Sequence, residues 1–173
     1  MKPSTTLYSY WIWPSPVGQL LLIHNGRALC GLHFQDGLHP LAIDEGWKKQ
    51  RSPFKDVIKQ LEQYFAGQLQ AFMVPLDLEG TDFQRSVWQA LQTIPYGVTA
   101  SYGGIAKKIR NPKASRAVGA ANGQNPISII VPCHRVIGAN GKLVGYGGGI
   151  SIKEFLLELE NRFTMPKSIK MGY

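Results

Sequence analysis

The stretch GQLLLIHNGRALCGLHF, residues 18–34, constrains the fold more than any other part of the chain. Two apolar runs flank Asn25-Gly26, a residue pair that accepts the positive φ angles of a two-residue hairpin turn. The first third is therefore expected to be β-structure. The segment SPFKDVIKQLEQYFAG follows, with Ser52 as N-cap and Pro53 at the first helical position. Phe54, Val57, Ile58, Leu61, Tyr64 and Phe65 fall on one helical stripe that Gly67 closes, which predicts an amphipathic helix facing a core. QLQAFMVPLDLEG then reads as a strand and a linker. A domain boundary near Gly80 follows, with an N-terminal β/α domain at residues 1–80.

Residues 81–173 read as mostly helical. TDFQRSVWQALQTIPYG has a Thr81/Asp82 cap, an apolar face of Phe83, Val87, Leu91 and Ile94, and a stop at Pro95 to Gly97. Ser101 can cap a short helix YGGIAKKI, and Asn111-Pro112 can cap and start another, PKASRAVGAAN, ending at Gly123. Two short helices joined by a tight turn predict a helix-turn-helix. Ser151 to Glu154, SIKE, has the pattern of a capping box opening the helix IKEFLLELEN. Before it, GYGGG at 145–149 reads as a mobile loop or a surface that another backbone approaches closely. The fold class is accordingly α+β with two domains.

Hydrophobic residues make up 44% of the chain and charged residues 17%, as in globular proteins. The N-terminus has no uninterrupted apolar core of a signal peptide, and the runs LLLI and ISIIV are far too short to cross a bilayer. A soluble cytoplasmic protein is expected, nuclear if the source is eukaryotic, with no membrane partner. Cys30 and Cys133 are the only cysteines, too few for a disulfide scaffold. His24, Cys30 and His33 invite a zinc reading, but a fourth ligand is lacking unless His39 joins, and no CxxC or HxxxH spacing occurs. No metal is expected.

The net charge of +8 is unevenly placed. Residues 1–80 carry seven basic and seven acidic residues, whereas residues 81–173 carry twelve and four, so the whole excess lies in the second half. Between Phe83 and Lys153 there is no acidic residue and there are nine basic ones, Arg110, Lys113 and Arg116 among them. Such a surface suits a phosphate backbone, whose counterions it would release, or is merely a soluble basic face. The helix around Arg116 is thin: Ala114, Ala117, Gly119, Ala120 and Ala121 let its backbone come close to something. That is a tightly packed neighbour or a minor groove, about 6 Å wide, with Arg116 projecting.

IIVPCHRVIGANG, residues 129–141, sets a thiol beside a histidine and a guanidinium. A free thiol is only slightly ionised at neutral pH, so a nucleophilic Cys133 needs a base or a positive environment, which His134 and Arg135 offer. Adjacent residues of an extended chain point to opposite sides, so direct contact of the pair requires a turn, which Pro132 permits. Asn125 is a candidate orienter and Glu160 a candidate anchor for a proton relay. By spacing alone, a buried cysteine at a strand end and a thiol hydrolase stay open.

The ordered tracts FQRSVWQAL, IPYGVTASYGGIA, NPKASRAVGAANGQNP, PCHRVIGANG, GYGGG and KEFLLELE resemble the O6-alkylguanine-DNA alkyltransferases, whose hallmark is PCHRV. The resemblance is close over roughly residues 81–161 and vaguer before them. It implies DNA repair by a single-turnover transfer of the alkyl group from O6-alkylguanine, and O4-alkylthymine, to Cys133, with no cofactor. The partner implied is double-stranded DNA containing O6-alkylguanine, bound through the minor groove by a monomer. It further implies that His134 takes the thiol proton through a water, that Glu160 holds His134, and that Asn125 braces the turn. Tyr102 would bond guanine N3, the carbonyls of Cys133 and Val136 would accept from the exocyclic amine, and the Gly147 N–H would bond O6 within a lid that includes Tyr146. Arg116 would fill the vacated base stack, with Ala114, Ser115, Gly119, Ala120, Asn122 and Gly123 forming the DNA-facing helix. Gly147 stands where Ser or Ala is common in the family, and Asn122 where some members have a larger apolar residue. A lesion-binding or regulatory module with a structural cysteine is the alternative; relatives that bind without repairing replace the cysteine, and this chain keeps it.

Overall fold

A computed structural model describes residues 7–37 and 39–164. Strands β1 (Ser9–Ser15), β2 (Gly18–His24) and β3 (Leu29–Phe34) form an antiparallel meander. Strand β4 (Lys48–Lys49) adds in parallel beside β1, giving the order β3-β2-β1-β4. In register, Leu22 lies between Trp11 and Leu32. Leu20, Leu22, Leu32 and Phe34 share a core with Val57, Ile58, Leu61 and Tyr64 of helix α1 (Lys55–Phe65). The hydrophobic stripe read from the sequence is therefore the buried one.

Local details depart from the sequence reading. The β2–β3 connection runs over Asn25 to Ala28, closed by Asn25 N–H donating to Ala28 O at 3.2 Å. The side-chain oxygen of Asn25 accepts from the N–H groups of Arg27 and Ala28, both at 3.1 Å, so an Asx turn replaces a positive φ at that residue. Gly26 alone of the pair is left-handed, at φ 86°. Ser52–Phe54 form a 3₁₀ turn with Arg51 at the cap, and α1 starts only at Lys55. The segment expected to be a strand before Gly80 supplies a single bridge, Leu29 to Leu76. Pro75 there has no N–H for a ladder, although its carbonyl accepts from Leu29 N–H at 3.0 Å.

The second half contains α2 (Asp82–Leu91), β5 (Ala100–Ser101), α3 (Tyr102–Lys108), α4 (Ser115–Gly123), β6 (Val136–Ile137) and α5 (Ile150–Phe163). Thr81 and Gln84 close a reciprocal capping box on α2. Ser101 caps α3 by accepting from Gly104 N–H at 3.0 Å. The Asn111-Pro112 pair does not start α4; it lies in a turn closed by Ala114 N–H on Asn111 O, and α4 begins at Ser115. Nor does SIKE cap α5: Gly149 at φ 92° holds the cap position, and Ser151 lies inside the helix. Among the described residues no helix is long and apolar enough to cross a membrane.

One core spans both halves, joining Leu20 and Tyr64 to Trp88, Leu91, Ile127, Val136 and Leu156. The backbone joins them too. Leu32 N–H donates to Pro126 O at 2.9 Å and Ser128 N–H to Leu32 O at 3.1 Å, so the segment leading to Cys133 is stitched to β3.

Candidate active site

The loop from α4 to β6 carries two three-residue turns. Ile130 N–H donates to Ser128 O at 2.8 Å around Ile129, whose φ is 71°. Cys133 N–H donates to Val131 O at 2.8 Å around Pro132, at φ −81° and ψ 63°, the inverse γ-turn. A β-branched residue at positive φ costs on the order of 1–3 kcal/mol and persists only where its surroundings impose it. Here Ile129 is buried in the core, and the stitch to β3 fixes the flanking backbone. Asn125 ties the two turns together. Its Nδ2 donates to Val131 O at 2.8 Å and to Cys133 Sγ at 3.0 Å, and its Oδ1 accepts from Ile127 N–H at 3.0 Å.

Cys133–Arg135 form a 3₁₀ turn, which sends three neighbouring side chains to different partners. The Cys133 sulfur faces Asn125, whereas His134 and Arg135 converge on Glu160 of α5. His134 Nε2 lies 2.7 Å from Glu160 Oε1. Arg135 grips the same carboxylate with two bonds of 2.9 Å, Nε on Oε2 and Nη2 on Oε1, and donates through Nη1 to Ile94 O at 2.6 Å. Tyr64 of α1 donates to Oε1 at 2.8 Å, and Gly97 N–H to Oε2 at 3.1 Å. His134 Nδ1 is buried and has no partner among the described residues, and no bond joins its ring to Cys133 Sγ.

Burial dominates the ionisation of this cluster. It pushes the Cys133 thiol up, with the Asn125 hydrogen bond and the Lys153 charge pulling the other way, so the resting sulfur is a thiol. Burial also lowers the His134 pKa against the opposing pull of Glu160, leaving a neutral imidazole. Burial would raise the Glu160 pKa as well, but the donors on His134 and Arg135 reverse the effect and hold it at about 2. With His134 neutral, its hydrogen bond and the paired, charged Arg135 are the causes that remain.

A cavity of about 190 Å³ opens beside the sulfur, bordered by Asn122, Ser128, Tyr146 and Gly147 and, from the N-terminal half, His33 and His39. The Tyr146 ring packs edge-on against Phe34 of β3, with centroids 5.6 Å apart. A Cβ on Gly148 would lie 2.9 Å from the Phe34 ring, so the glycine there permits a close approach of lid to sheet. Lys153 is fully buried, and its ammonium donates to Val136 O at 2.6 Å and to Val144 O at 3.0 Å, tying β6 to the segment before the lid. A larger cleft of about 630 Å³ borders Pro132 and Arg135 but does not include Cys133.

The DNA-facing candidates divide. Arg116, Ala120 and Gly123 are exposed on α4, with Ala114 and Ser115 half-buried at its start. Asn122 is not on that face: it is buried, its Nδ2 reaches Cys133 O at 3.4 Å, and it borders the cavity. Gly119 faces α3, where a Cβ would lie 3.8 Å from the Tyr102 ring. The opposite face of α4 packs on α2, with Trp88 Nε1 donating to Ala121 O at 2.8 Å. Both readings of the thin helix therefore have a face. Tyr102 opens α3, and its hydroxyl is 3.4 Å from Val144 O. Of the zinc candidates, His24 accepts from Gly26 N–H and Cys30 bonds Ile23 O.

Three contributors escaped the sequence reading: Tyr64, Lys153 and the bidentate role of Arg135. Lys153 left a signal, because it lies on one helical face with Leu156 and Glu160, charges on a stripe that should be apolar. Tyr64 left none, since an aromatic residue on a core stripe needs no hydroxyl to explain it.

Comparison with known proteins follows the same division of the chain. Residues 82–162 match the family described as 6-O-methylguanine DNA methyltransferase, DNA binding domain. Residues 6–78 match 6-O-methylguanine DNA methyltransferase, ribonuclease-like domain. The methylated-DNA–protein-cysteine methyltransferase of Methanosarcina acetivorans is 56% identical over 151 residues, 87% of this chain and 97% of the relative. That of Mycobacterium leprae is 54% identical over 147 residues, 84% of this chain and 88% of the relative. Among solved structures, Mycobacterium tuberculosis OGT in complex with DNA superimposes with a TM-score of 0.84 at 52% identity, covering 91% of this chain and 96% of that one.

Proposed function

The chain belongs to the 6-O-methylguanine DNA methyltransferase family, and on that premise we propose which of its residues carry the reaction. It is a DNA-binding repair enzyme that transfers an alkyl group from DNA to a cysteine of the protein. Cys133 is the acceptor. Its sulfur attacks the alkyl carbon of O6-alkylguanine, the carbon–oxygen bond breaks, and the electron pair leaves on the guanine. The thiol proton passes through a water to His134 Nδ1, and the resulting imidazolium is stabilised by Glu160 through Nε2. The product is a thioether, so each molecule reacts once. O4-alkylthymine presents the same carbon–oxygen bond to the sulfur.

The observation that supports this best is a neutral buried thiol in a cavity of base-like size, beside a turn whose histidine is anchored on a buried carboxylate. The cavity cannot be reached by a base inside a duplex, so the nucleotide must be flipped, at a cost of a few kcal/mol. The exposed face of α4 enters the minor groove, and Arg116 occupies the vacated stack. In the cavity, Tyr102 and the Gly147 N–H stabilise charge that develops on the base. The Val136 carbonyl keeps a lone pair free for the exocyclic amine after accepting from Lys153, whereas the Cys133 carbonyl accepts from Val136 N–H and from Asn122 at 3.4 Å, a long bond that the amine would displace. The protein acts as a monomer on double-stranded DNA.

Incubation with duplex DNA containing O6-methylguanine should add one methyl mass to the peptide holding Cys133. Cys133→Ala should add none while still binding DNA. Methyl on Cys30, turnover beyond one equivalent, or binding without any mass shift would overturn the assignment.

A further inference from the structure

Glu160 receives five hydrogen bonds from protein: two from Arg135 and one each from His134, Gly97 and Tyr64. Four of these donors lie in the C-terminal half. The fifth, the Tyr64 hydroxyl, comes from α1, 96 residues away in sequence, and bonds Oε1, the oxygen that also faces His134. Both Tyr64 and Glu160 are fully buried. We infer that Tyr64 is a positioning residue for alkyl transfer, through which the N-terminal half limits the basicity of Glu160 and so sets the pH range in which His134 can take the thiol proton.

Several donors compete for one oxygen. Tyr64 O–H, His134 Nε2–H and Arg135 Nη2–H all draw on the lone pairs of Oε1, and an imidazolium profits from a less shared acceptor more than a neutral imidazole does. A carboxylate with fewer donors would hold His134 protonated at higher pH, where it could no longer accept from Cys133. The other groups facing this pair are Arg135, the Tyr96 ring 5.7 Å from its guanidinium, the Gly97 amide, and Lys153, whose charge acts on His134 from α5. None of them replaces the Tyr64 hydroxyl on Oε1 if it is lost, because the Arg135 Nη2 already donates there and Gly97 and the Arg135 Nε are committed to Oε2. Tyr64 itself stays protonated, its pKa raised by burial and then by the Glu160 charge, so it is always a donor.

This inference rests on Cys133 as acceptor and His134 as its base. The test measures single-turnover repair of O6-methylguanine duplex by the full chain from about pH 5.5 to 9, for wild type and Tyr64→Phe, with the methylated peptide identified by mass. Loss of one of several donors should move the acid limb of the rate profile upward by a few tenths to about one pH unit. A merely structural role would lower the rate by one factor at every pH, and that result overturns the inference. Should Tyr64→Phe fail to fold, difluorotyrosine at position 64 keeps the hydroxyl and makes it a stronger donor. The acid limb should then move down, and an unmoved limb overturns the inference. Methyl found elsewhere than Cys133 in the wild type would instead refute the functional reading on which it rests.

Discussion

Replacing Asn125 by Ala or Asp separates two jobs that one side chain performs. In Asn125→Ala, the buried Ile127 N–H loses its acceptor, Val131 O keeps only the Cys133 N–H, and Cys133 Sγ loses a donor. One orphaned buried donor costs about 1–3 kcal/mol, and the weakened carbonyl adds to this, so a loss of roughly 2–3 kcal/mol is expected. For a chain of this size that is a drop in Tm of roughly 4–12 °C. Asn125→Asp keeps the acceptor for Ile127 N–H but turns an oxygen toward both Val131 O and Cys133 Sγ. It should cost at least as much stability and suppress the thiol more, because the Asn125 bond lowers the Cys133 pKa and a carboxylate would raise it. Urea melts read the first effect, and the rate of Cys133 alkylation by iodoacetamide across pH reads the second. At neutral pH the rate should fall roughly five- to tenfold in Asn125→Ala, the worth of one hydrogen bond, and further in Asn125→Asp. Wild-type stability and wild-type alkylation in Asn125→Asp would refute the reasoning. A stability loss with no change in the alkylation profile would refute its electrostatic half.

Stability should decline as the solution is acidified. His134 and Glu160 both have folded-state pKa values below their unfolded ones, so the unfolded chain binds more protons in acid and each contribution is lost as pH falls. The decline should begin near the ordinary histidine pKa of about 6.5 and steepen between about 4.5 and 2, where Glu160 takes its proton; urea midpoints that rise below pH 6 would contradict it. Gly148→Ala should displace the Phe34 ring, cost about 1–3 kcal/mol as an overpacked site, and slow repair without weakening DNA binding. Gly147→Ala, where nothing lies within 4 Å of the added carbon, should keep wild-type stability. Arg116→Ala should slow repair in duplex DNA much more than reaction with a free guanine analogue, and equal losses on both would remove it from the role of stack filler.

Short-range chemistry was legible in the sequence, and contact across the fold was not. Thr81 and Gln84 sit three residues apart, so their capping box depends on nothing distant, and Ser101 caps α3 for the same reason. Ser151 and Glu154 have the same spacing, yet the preceding Gly149 takes a conformation that starts the helix earlier. Asn111-Pro112 fails similarly, because the turn into α4 is closed by backbone bonds that composition does not reveal. The charge asymmetry offered the second half as a nucleic-acid-binding surface or a merely soluble basic face, and the family match at residues 82–162 favours the first, but the contribution of the first half to Glu160 needs Tyr64 and α5 in contact. Glu160 could be named from the sequence as a candidate anchor, but its hold on His134 was only what the resemblance implied, since the contact joins a turn and a helix 26 residues apart.

A reagent that is consumed by its first encounter must survive until the right one arrives. Cys133 is 4% exposed and rests as a thiol, whereas peroxides and disulfides react with accessible thiolates. The other cysteine, Cys30, is half-buried and also rests as a thiol, its pKa raised chiefly by burial to about 11. The pocket around the sulfur therefore gives the molecule a shelf life. On the proposed mechanism, its nucleophile should stay chemically quiet through long exposure to small oxidants and be awakened only when a flipped base fills the cavity and a proton can leave toward His134.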